Sequence, residues 1–247
     1  MDYSGNEAMN TICTNITFAG ENVQKIALTS CVAGEGKTTM GSRIWLNMAK
    51  RGYDTVFIDA DLRRSYMIQR LGLRFDEQGD VKGLAHYLTH HCTLDEACYA
   101  TDIPHAYIMP TGRTLANPIP LLNSESFSDM LETLKQTFDF IIIDTPPVGL
   151  VIDSAEIAKV CDGIIMVIEY GKRHRREVTE AVSQLRKANC PILGCILDKV
   201  TVKTLTEKRY YKSGYYYYSH YGKYGKYGKY GKEGYYRKDE DGTPENP

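Results

Sequence analysis

The segment Ser30-Cys31-Val32-Ala33-Gly34-Glu35-Gly36-Lys37-Thr38-Thr39 decides the fold, because it joins an apolar run to a sequence with helical periodicity. The apolar run at residues 25–29 predicts a buried strand, and residues 38–51 predict the helix that follows. Glycines at positions 34 and 36 let the backbone turn tightly, so that successive N–H groups can point at phosphate oxygens. The segment therefore predicts a phosphate-binding P-loop between a strand and a helix.

The side chains of this loop have distinct expected roles. Lys37 is expected to reach the terminal phosphates of a nucleotide, and Thr38 to offer its hydroxyl to magnesium. The first glycine usual in such loops is replaced by Cys31, so the loop alone leaves open a strand-to-helix turn that binds no ligand. The residues expected to contact the nucleotide are Ala33, Gly34, Glu35, Gly36, Lys37, Thr38 and Thr39.

Length and composition limit the class of protein to which the chain can belong. A chain of 247 residues with 43% hydrophobic composition can bury a full α/β core in one domain. No apolar run approaches the ~20 residues that span a bilayer, and no secretory signal is evident. The seven cysteines are scattered, without the C-x-x-C spacing of metal sites. These features predict a protein of the reducing cytoplasm.

Two further apolar runs end in carboxylates. The run at residues 55–58 is followed by Asp59 and Asp61, and the run at residues 140–143 by Asp144. Ligands of open parallel sheets bind at the carboxyl ends of the strands, so these side chains are expected at the same edge as the P-loop. The run that ends at Asp144 is interpreted as a Walker B strand.

Alternation of strands and helices along the chain predicts the fold class. It indicates a P-loop NTPase-like parallel sheet with helices on both faces and right-handed crossovers. Further helices are expected at residues 6–17, 83–88, 94–99, 124–138, 154–160 and 176–188, and further strands at 106–110, 163–168 and 192–197.

A basic segment lies at the predicted ligand edge. Residues 172–176 read Lys-Arg-His-Arg-Arg and follow a predicted strand. This segment is interpreted either as a site for phosphotyrosine or an acidic partner segment, or as a solvated start of a helix.

From about residue 206 the composition changes to a tail rich in tyrosine, glycine and lysine. Twelve of the nineteen tyrosines fall between Tyr210 and Tyr236, many of them in a Tyr-Gly-Lys repeat. Such a repeat has no aliphatic face to bury, so we expect it to be disordered. A tail of about forty residues has an r.m.s. span of about 35 Å, long enough to visit an active site. Stacking on single-stranded nucleic acid is an alternative that the composition leaves open.

Three of these segments and the tail together resemble the bacterial tyrosine kinases of capsule and exopolysaccharide synthesis, in their cytoplasmic single-domain form. The segments are residues 30–38, residues 58–63 (Ile-Asp-Ala-Asp-Leu-Arg) and residues 143–147 (Ile-Asp-Thr-Pro-Pro). The resemblance covers essentially the whole chain and implies that the segments are the Walker A, A′ and B motifs. It also implies a kinase domain at residues 1–205 and an autophosphorylated tail at 206–247.

The resemblance implies a non-specific protein-tyrosine kinase with ATP and Mg²⁺ as cofactors. Phosphoryl transfer requires that charge around the γ-phosphate be neutralised and that a hydroxyl be placed in line with it. We therefore expect Thr38 to bind the metal, with Asp59 and Asp144 holding the metal or its waters. The expected catalytic residues are Lys37, Asp59, Asp61 and Asp144. The base that accepts the tyrosine proton is Asp59 or Asp61, and spacing does not choose between them.

The tail tyrosines are the phosphoacceptors that the resemblance implies. They are Tyr210, Tyr211, Tyr215, Tyr216, Tyr217, Tyr218, Tyr221, Tyr224, Tyr227, Tyr230, Tyr235 and Tyr236.

The resemblance also implies partners. They are a transmembrane activator of the type that regulates polysaccharide chain length, a cognate tyrosine phosphatase and other copies of the chain in a homo-oligomer, but no nucleic acid. The expected location is the cytoplasm, peripheral at the inner face of the cell membrane through the activator.

The chain departs from the family pattern at two places. The N-terminal helix carries Glu7, Asn10 and Cys13 where relatives often have a glutamate and two arginines that build a ring of subunits. The last predicted strand is followed by Asp198, where relatives frequently have an asparagine near the adenine. Ring assembly and base recognition are therefore left open.

The alternative function is an ATP-driven switch for positioning or partition, in which water rather than tyrosine attacks the γ-phosphate. Such ATPases resemble the core, but their loop carries a lysine at the position of Val32 and they lack a tyrosine-rich tail.

Overall fold

The computed structural model describes residues 3–75 and 80–200 of the chain. The predicted tail, its tyrosines and the predicted domain boundary at 205/206 lie outside the described residues. The strands are Lys25–Ser30 (β1), Thr55–Asp59 (β2), Tyr99–Ala100 (β3), Ala106–Met109 (β4), Phe140–Asp144 (β5), Gly163–Glu169 (β6) and Ile192–Asp198 (β7). The helices are Tyr3–Thr17 (α1), Lys37–Lys50 (α2), Met67–Leu71 (α3), Leu84–Leu88 (α4), Leu94–Ala97 (α5), Ile119–Leu122 (α6), Glu125–Lys135 (α7), Asp153–Ala158 (α8) and Arg175–Arg186 (α9).

Within the described residues, seven strands form one sheet in the order β3-β4-β2-β5-β1-β6-β7. Neighbouring strands are parallel except at one edge, where β3 pairs antiparallel with β4. Strand β1, which leads into the P-loop, lies between β5 and β6. The carboxyl ends of the parallel strands thus share one edge, as the predicted P-loop NTPase-like fold requires.

The isoleucines of β5 show how one strand supplies both halves of the core. Side chains alternate between the two faces of a strand. Ile141 and Ile143 accordingly belong to one buried layer, which includes Phe127 of α7. Ile142 belongs to the layer on the other face, which includes Ile44 of α2. Each of these side chains is fully buried, and burial of one such side chain stabilises a fold by about 1.5–3 kcal/mol.

Helix α1 packs on α2 through one apolar stripe. Met9, Cys13 and Ile16 lie on one face of the helix, at i, i+4 and i+7, and are buried in the same layer as the apolar residues of α2. The Arg51 guanidinium donates to the backbone carbonyl of Asn10 over 2.9 Å. Asn10 and Cys13, the two positions that depart from the ring-forming pattern, therefore make contacts within the chain.

One predicted helix is wrong at its end. The sequence predicts a helix over residues 94–99, but α5 ends at Ala97 and Tyr99 belongs to β3. The backbone becomes extended at Cys98, with φ −113° and ψ 122°. The Tyr99 ring then packs edge-on against Phe75, with ring centroids 4.9 Å apart. A strand of two residues has too little periodicity to be predicted from the sequence.

The short helices α3 and α6 are likewise absent from the predictions. The remaining predicted elements are present with their ends displaced by three residues or fewer. In the part of the chain that the structure describes, no helix combines the length and the apolar character needed to cross a membrane.

Candidate active site

The P-loop connects the end of β1 at Ser30 to the start of α2 at Lys37. Gly34 and Gly36 have φ values of 86° and 94°, which is the left-handed region that favours glycine. A Cβ atom at Gly36 would also collide with the carboxylate of Asp198 at the end of β7. The carbonyl of Gly36 accepts the helical hydrogen bond from the N–H of Met40 (2.8 Å). The two glycines predicted to shape the loop thus have the backbone conformation that this role requires.

Strand β5, which is next to β1, and strand β2 beyond it deliver buried carboxylates to the same edge. Asp59 and Asp144 are direct neighbours in the register of β2 and β5. They are 1% and 2% exposed, and Asp61 is 9% exposed. Three acidic side chains are thereby largely removed from water beside the P-loop.

Lys37 lies between two of these carboxylates. Its Nζ atom is 3.8 Å from Oδ2 of Asp61 and 3.8 Å from Oδ1 of Asp144. The hydroxyl of the neighbouring Thr38 donates to Oδ2 of Asp144 over 2.5 Å. The structure therefore brings together the lysine and hydroxyl of Walker A and the carboxylates of the two other predicted motifs.

The Asp59 carboxylate has hydrogen-bond partners that the sequence pattern does not indicate. Its Oδ2 atom accepts a hydrogen bond from the hydroxyl of Ser65, and its Oδ1 atom accepts one from the N–H of Asp61 (3.2 Å). Asp61 in turn accepts from the N–H of Arg64 over 3.0 Å. These contacts fold the segment after β2 into a turn that fixes both carboxylates.

Arg63 anchors the same turn to the rest of the domain. Its Nε atom lies 2.7 Å from Oδ2 of Asp153 at the start of α8, a carboxylate that is 1% exposed. Its Nη1 atom donates to the carbonyl of Ala116 over 3.2 Å. The side chain therefore joins the Walker A′ segment to the residues that follow the Walker B strand.

Burial raises the pKa of each carboxyl group in this cluster, because an ionised carboxylate loses its hydration there. The pKa of Asp59 rises to about 7, through burial and then through the charge of Asp144. The pKa of Asp144 is also raised by burial, with Lys37 and the Thr38 hydroxyl acting in the opposite direction. Burial raises the pKa of Asp61, again opposed by Lys37. One lysine does not compensate three buried carboxylates.

We expect Asp59→Asn to stabilise the nucleotide-free, magnesium-free protein at pH 8 and to change its stability little at pH 4. A carboxyl whose pKa rises on folding from 3.8 to about 7 contributes stability at low pH that is lost as the pH rises to 7. The gain therefore develops between about pH 4 and pH 7, and at pH 8 it should be on the order of a few kcal/mol. An asparagine keeps an acceptor for Asp61 and a donor for Ser65. Urea unfolding at the two pH values measures the difference.

Asp102→Asn is the control, because Asp102 is exposed in the loop between β3 and β4. It should leave stability unchanged at both pH values. An Asp59→Asn variant destabilised equally at pH 4 and pH 8 would show that burial of this charge carries no cost.

The Glu35 side chain is turned into the protein rather than toward solvent. It is 1% exposed, and its carboxylate lies 3.2 Å from Nε of Arg173. The predicted contact of Glu35 with the nucleotide would therefore have to be made by its backbone N–H rather than by its side chain.

Two of the five residues of the basic segment pair with acidic neighbours. Arg173 contacts Glu35 and Glu177, and Arg176 contacts Glu180 one helical turn away at 2.8 Å. His174 is the N-terminal cap residue of α9. These contacts favour the interpretation as the start of a helix, and binding of phosphotyrosine there stays a prediction.

The residues present fit a magnesium–nucleotide complex. Oδ1 of Asp144 is buried and has no hydrogen-bond partner among the described residues, and the three carboxylates leave an excess of negative charge. Magnesium is typically held by one or two carboxylates together with substrate phosphates and waters. Within residues 3–75 and 80–200, no group of three or more His, Cys, Asp and Glu side chains is arranged to hold a metal by itself. The phosphates that such a site needs would come from a nucleotide on the P-loop.

A P-loop after the first strand of a parallel sheet, with carboxylates at the ends of two neighbouring strands, defines a P-loop NTPase-like protein. Residues 23–190 match the AAA domain family. Tyrosine-protein kinase CpsD of Streptococcus agalactiae serotype Ia is 40% identical over 200 residues, covering 81% of this chain and 84% of that protein. The chain belongs to the bacterial tyrosine-protein kinases of the AAA domain family.

Solved structures agree with this assignment. The kinase domain of the Escherichia coli tyrosine kinase ETK has a TM-score of 0.74 and 27% identity, over 81% of this chain and 77% of that one. The septum site-determining protein MinD of Pyrococcus horikoshii, complexed with Mg-ADP, has a TM-score of 0.60 at 23% identity, over 76% of each chain. The second likeness shows the fold alone. The predicted family and tyrosine kinase activity are thus confirmed.

Proposed function

We propose that this tyrosine kinase uses ATP and magnesium to phosphorylate the tyrosines of its own tail, and that it thereby regulates capsular or extracellular polysaccharide polymerisation and export. The observation that carries the ATP-dependent part is the position of Lys37 between Asp61 and Asp144, with Thr38 bonded to Asp144. That arrangement offers a cation for the terminal phosphates and a hydroxyl–carboxylate pair for a metal.

The residues at this edge of the sheet have different roles in the proposed phosphoryl transfer. The N–H groups of the P-loop and the Lys37 ammonium would bind and orient the phosphates, while Thr38 and Asp144 would hold the metal, with Asp59 beside them. Bound magnesium supplies charge neutralisation across the phosphates. The Thr38 hydroxyl donates to Asp144, so these two oxygens are adjacent.

The base that accepts the tyrosine proton is Asp59 or Asp61, and exposure supports Asp61. Asp61 is 9% exposed against 1% for Asp59. Both oxygens of Asp59 already accept hydrogen bonds, from Ser65 and from the Asp61 N–H. A base must reach the hydroxyl that it deprotonates, and the more exposed carboxylate, next to Lys37, is better placed to do so.

The proposed partners follow from the family. We propose a transmembrane activator with a cytosolic segment, a cognate tyrosine phosphatase and assembly into a homo-oligomer, without nucleic acid. The kinase would work in the cytoplasm, at the inner face of the membrane, through the activator.

The tail offers a means of regulating that assembly. Between residues 210 and 247 it carries seven basic and five acidic residues, a net charge of +2. Each phosphotyrosine adds about −1.5 to −2 charges, so four modified sites would bring the tail to roughly −4 to −6. We propose that the unmodified tail binds at an active site and supports association, and that cumulative phosphorylation releases it.

Labelled ATP separates the proposed kinase from an ATP-driven switch. The full chain is incubated with γ-labelled ATP, magnesium and the cytosolic segment of the activator, and label is measured on protein and as free phosphate. We expect label on the protein, distributed over several tail tyrosines. Release of free phosphate alone would support the switch and contradict the kinase assignment.

A further inference from the structure

A buried carboxylate lies within the P-loop itself. Glu35 is 1% exposed, and it lies between the two left-handed glycines of the loop. A negative charge at this place repels the phosphates of a nucleotide unless a nearby cation compensates it. The contacts of Glu35 show how the protein accommodates the charge.

Two backbone N–H groups and one guanidinium surround the Glu35 carboxylate. Oε2 accepts a hydrogen bond from the N–H of Val32 (2.9 Å), which ties the loop to itself. Oε1 accepts one from the N–H of Glu169 at the end of β6 (3.4 Å). The same Oε1 atom lies 3.2 Å from Nε of Arg173, whose Nη1 atom donates to Glu177 over 3.3 Å.

A second contact holds the same part of the loop through its backbone. The Lys199 ammonium, which follows β7, donates to the carbonyl of Gly34 (2.9 Å) and to the carboxylate of Glu169 (2.9 Å). Gly34 is thus held through its backbone carbonyl, and Glu35 is held through its side-chain carboxylate. Arg173 follows β6 and Lys199 follows β7, two strands on the same side of β1.

We infer that Glu35 and Arg173 form a positioning pair for the kinase reaction. Glu35 keeps the P-loop in the shape in which its N–H groups can receive phosphates, and Arg173 compensates the carboxylate so that a triphosphate can approach. Both residues act through the loop rather than on the reacting atoms. The inference rests on the proposal that this loop binds ATP.

Removal of the guanidinium has an effect that depends on ligand charge. Without Arg173 the Glu35 charge is uncompensated near the phosphates, and the repulsion grows with the number of phosphate charges. We expect Arg173→Met to weaken ATP binding about tenfold and ADP binding about threefold. A side chain that only supported the fold would weaken both nucleotides equally.

Neutralising the carboxylate should have the opposite effect. Glu35→Gln keeps an oxygen acceptor but leaves the Arg173 charge in excess, so the preference for ATP over ADP should rise about threefold. The double variant Glu35→Gln/Arg173→Met should return this preference to the wild-type value. Arg176→Met is the matched control, because Arg176 is 88% exposed and contacts Glu180 on its own helix. It should change neither affinity.

Calorimetric titration of the full-length proteins with ATP and with ADP, in magnesium, tests the inference. The expected result is a preference for ATP that falls in Arg173→Met, rises in Glu35→Gln and is restored in the double variant. An equal loss for both nucleotides in Arg173→Met, or no change of preference in Glu35→Gln, would overturn it. If Arg173→Met does not fold, the Glu35→Gln variant alone still decides the test. A wild-type protein that binds neither nucleotide would overturn the proposed function as well. A wild type that binds ATP, with variants that keep the same preference for ATP over ADP, would overturn this inference alone.

Discussion

Lys37→Met is expected to reduce tyrosine phosphorylation by at least about a hundredfold while leaving the protein folded. The ammonium lies 3.8 Å from both Asp61 and Asp144, in the position that a P-loop lysine needs to reach the terminal phosphates. Methionine has a similar length and fills the space without creating a cavity. The measurement is phosphotyrosine formed per minute at saturating ATP, together with a thermal unfolding curve for each protein.

Lys50→Met is the matched control, because Lys50 is the exposed last residue of the same helix. It should retain full activity. Normal phosphorylation by Lys37→Met would show that the active site is not at the P-loop.

Asp144→Asn should lower magnesium-dependent turnover by about a hundredfold to a thousandfold. The substitution removes the charge beside the Thr38 hydroxyl, but an asparagine oxygen can still accept the hydrogen bond that Asp144 accepts now. The loss should therefore come from weakened metal binding rather than from altered packing. Turnover measured across a magnesium titration should show a raised magnesium requirement together with a lower maximum.

Asp139→Asn provides the comparison at the opposite end of the same strand, where the Asp139 carboxylate accepts from the N–H of Asp54 (2.8 Å). This variant should respond to magnesium as the wild type does. Full turnover of Asp144→Asn at low magnesium would contradict the placement of the metal.

The framework of the site could be predicted because its signals are local. A glycine-rich loop between an apolar run and a helical pattern marks the position of Lys37, and an aspartate after a β-branched run marks the end of a parallel strand. Asp59 and Asp144 are neighbours in register because their strands pair directly. The sequence therefore predicted the edge at which these residues meet, whereas their catalytic and metal-binding roles stay predictions.

The contacts that adjust the site could not be predicted, because they depend on how irregular loops and turns are arranged in space rather than on a periodic pattern. The sequence places Glu35 in the loop but does not indicate that its carboxylate is buried against Arg173. The bond from Ser65 to Asp59 depends on the conformation of an irregular turn, for which no periodic signal exists. Edge strand β3 was missed for a related reason, since its pairing with β4 is set by tertiary packing.

Mass-spectrometric mapping of phosphate on the full-length chain tests the central claim most directly. Wild-type and Lys37→Met proteins are each incubated with ATP, magnesium and the cytosolic segment of the activator, and the positions of phosphate are compared. We predict phosphotyrosine at several positions between Tyr210 and Tyr236 in the wild type and none in Lys37→Met. Equal modification of the two proteins, or phosphate confined to serine and threonine, would contradict the account.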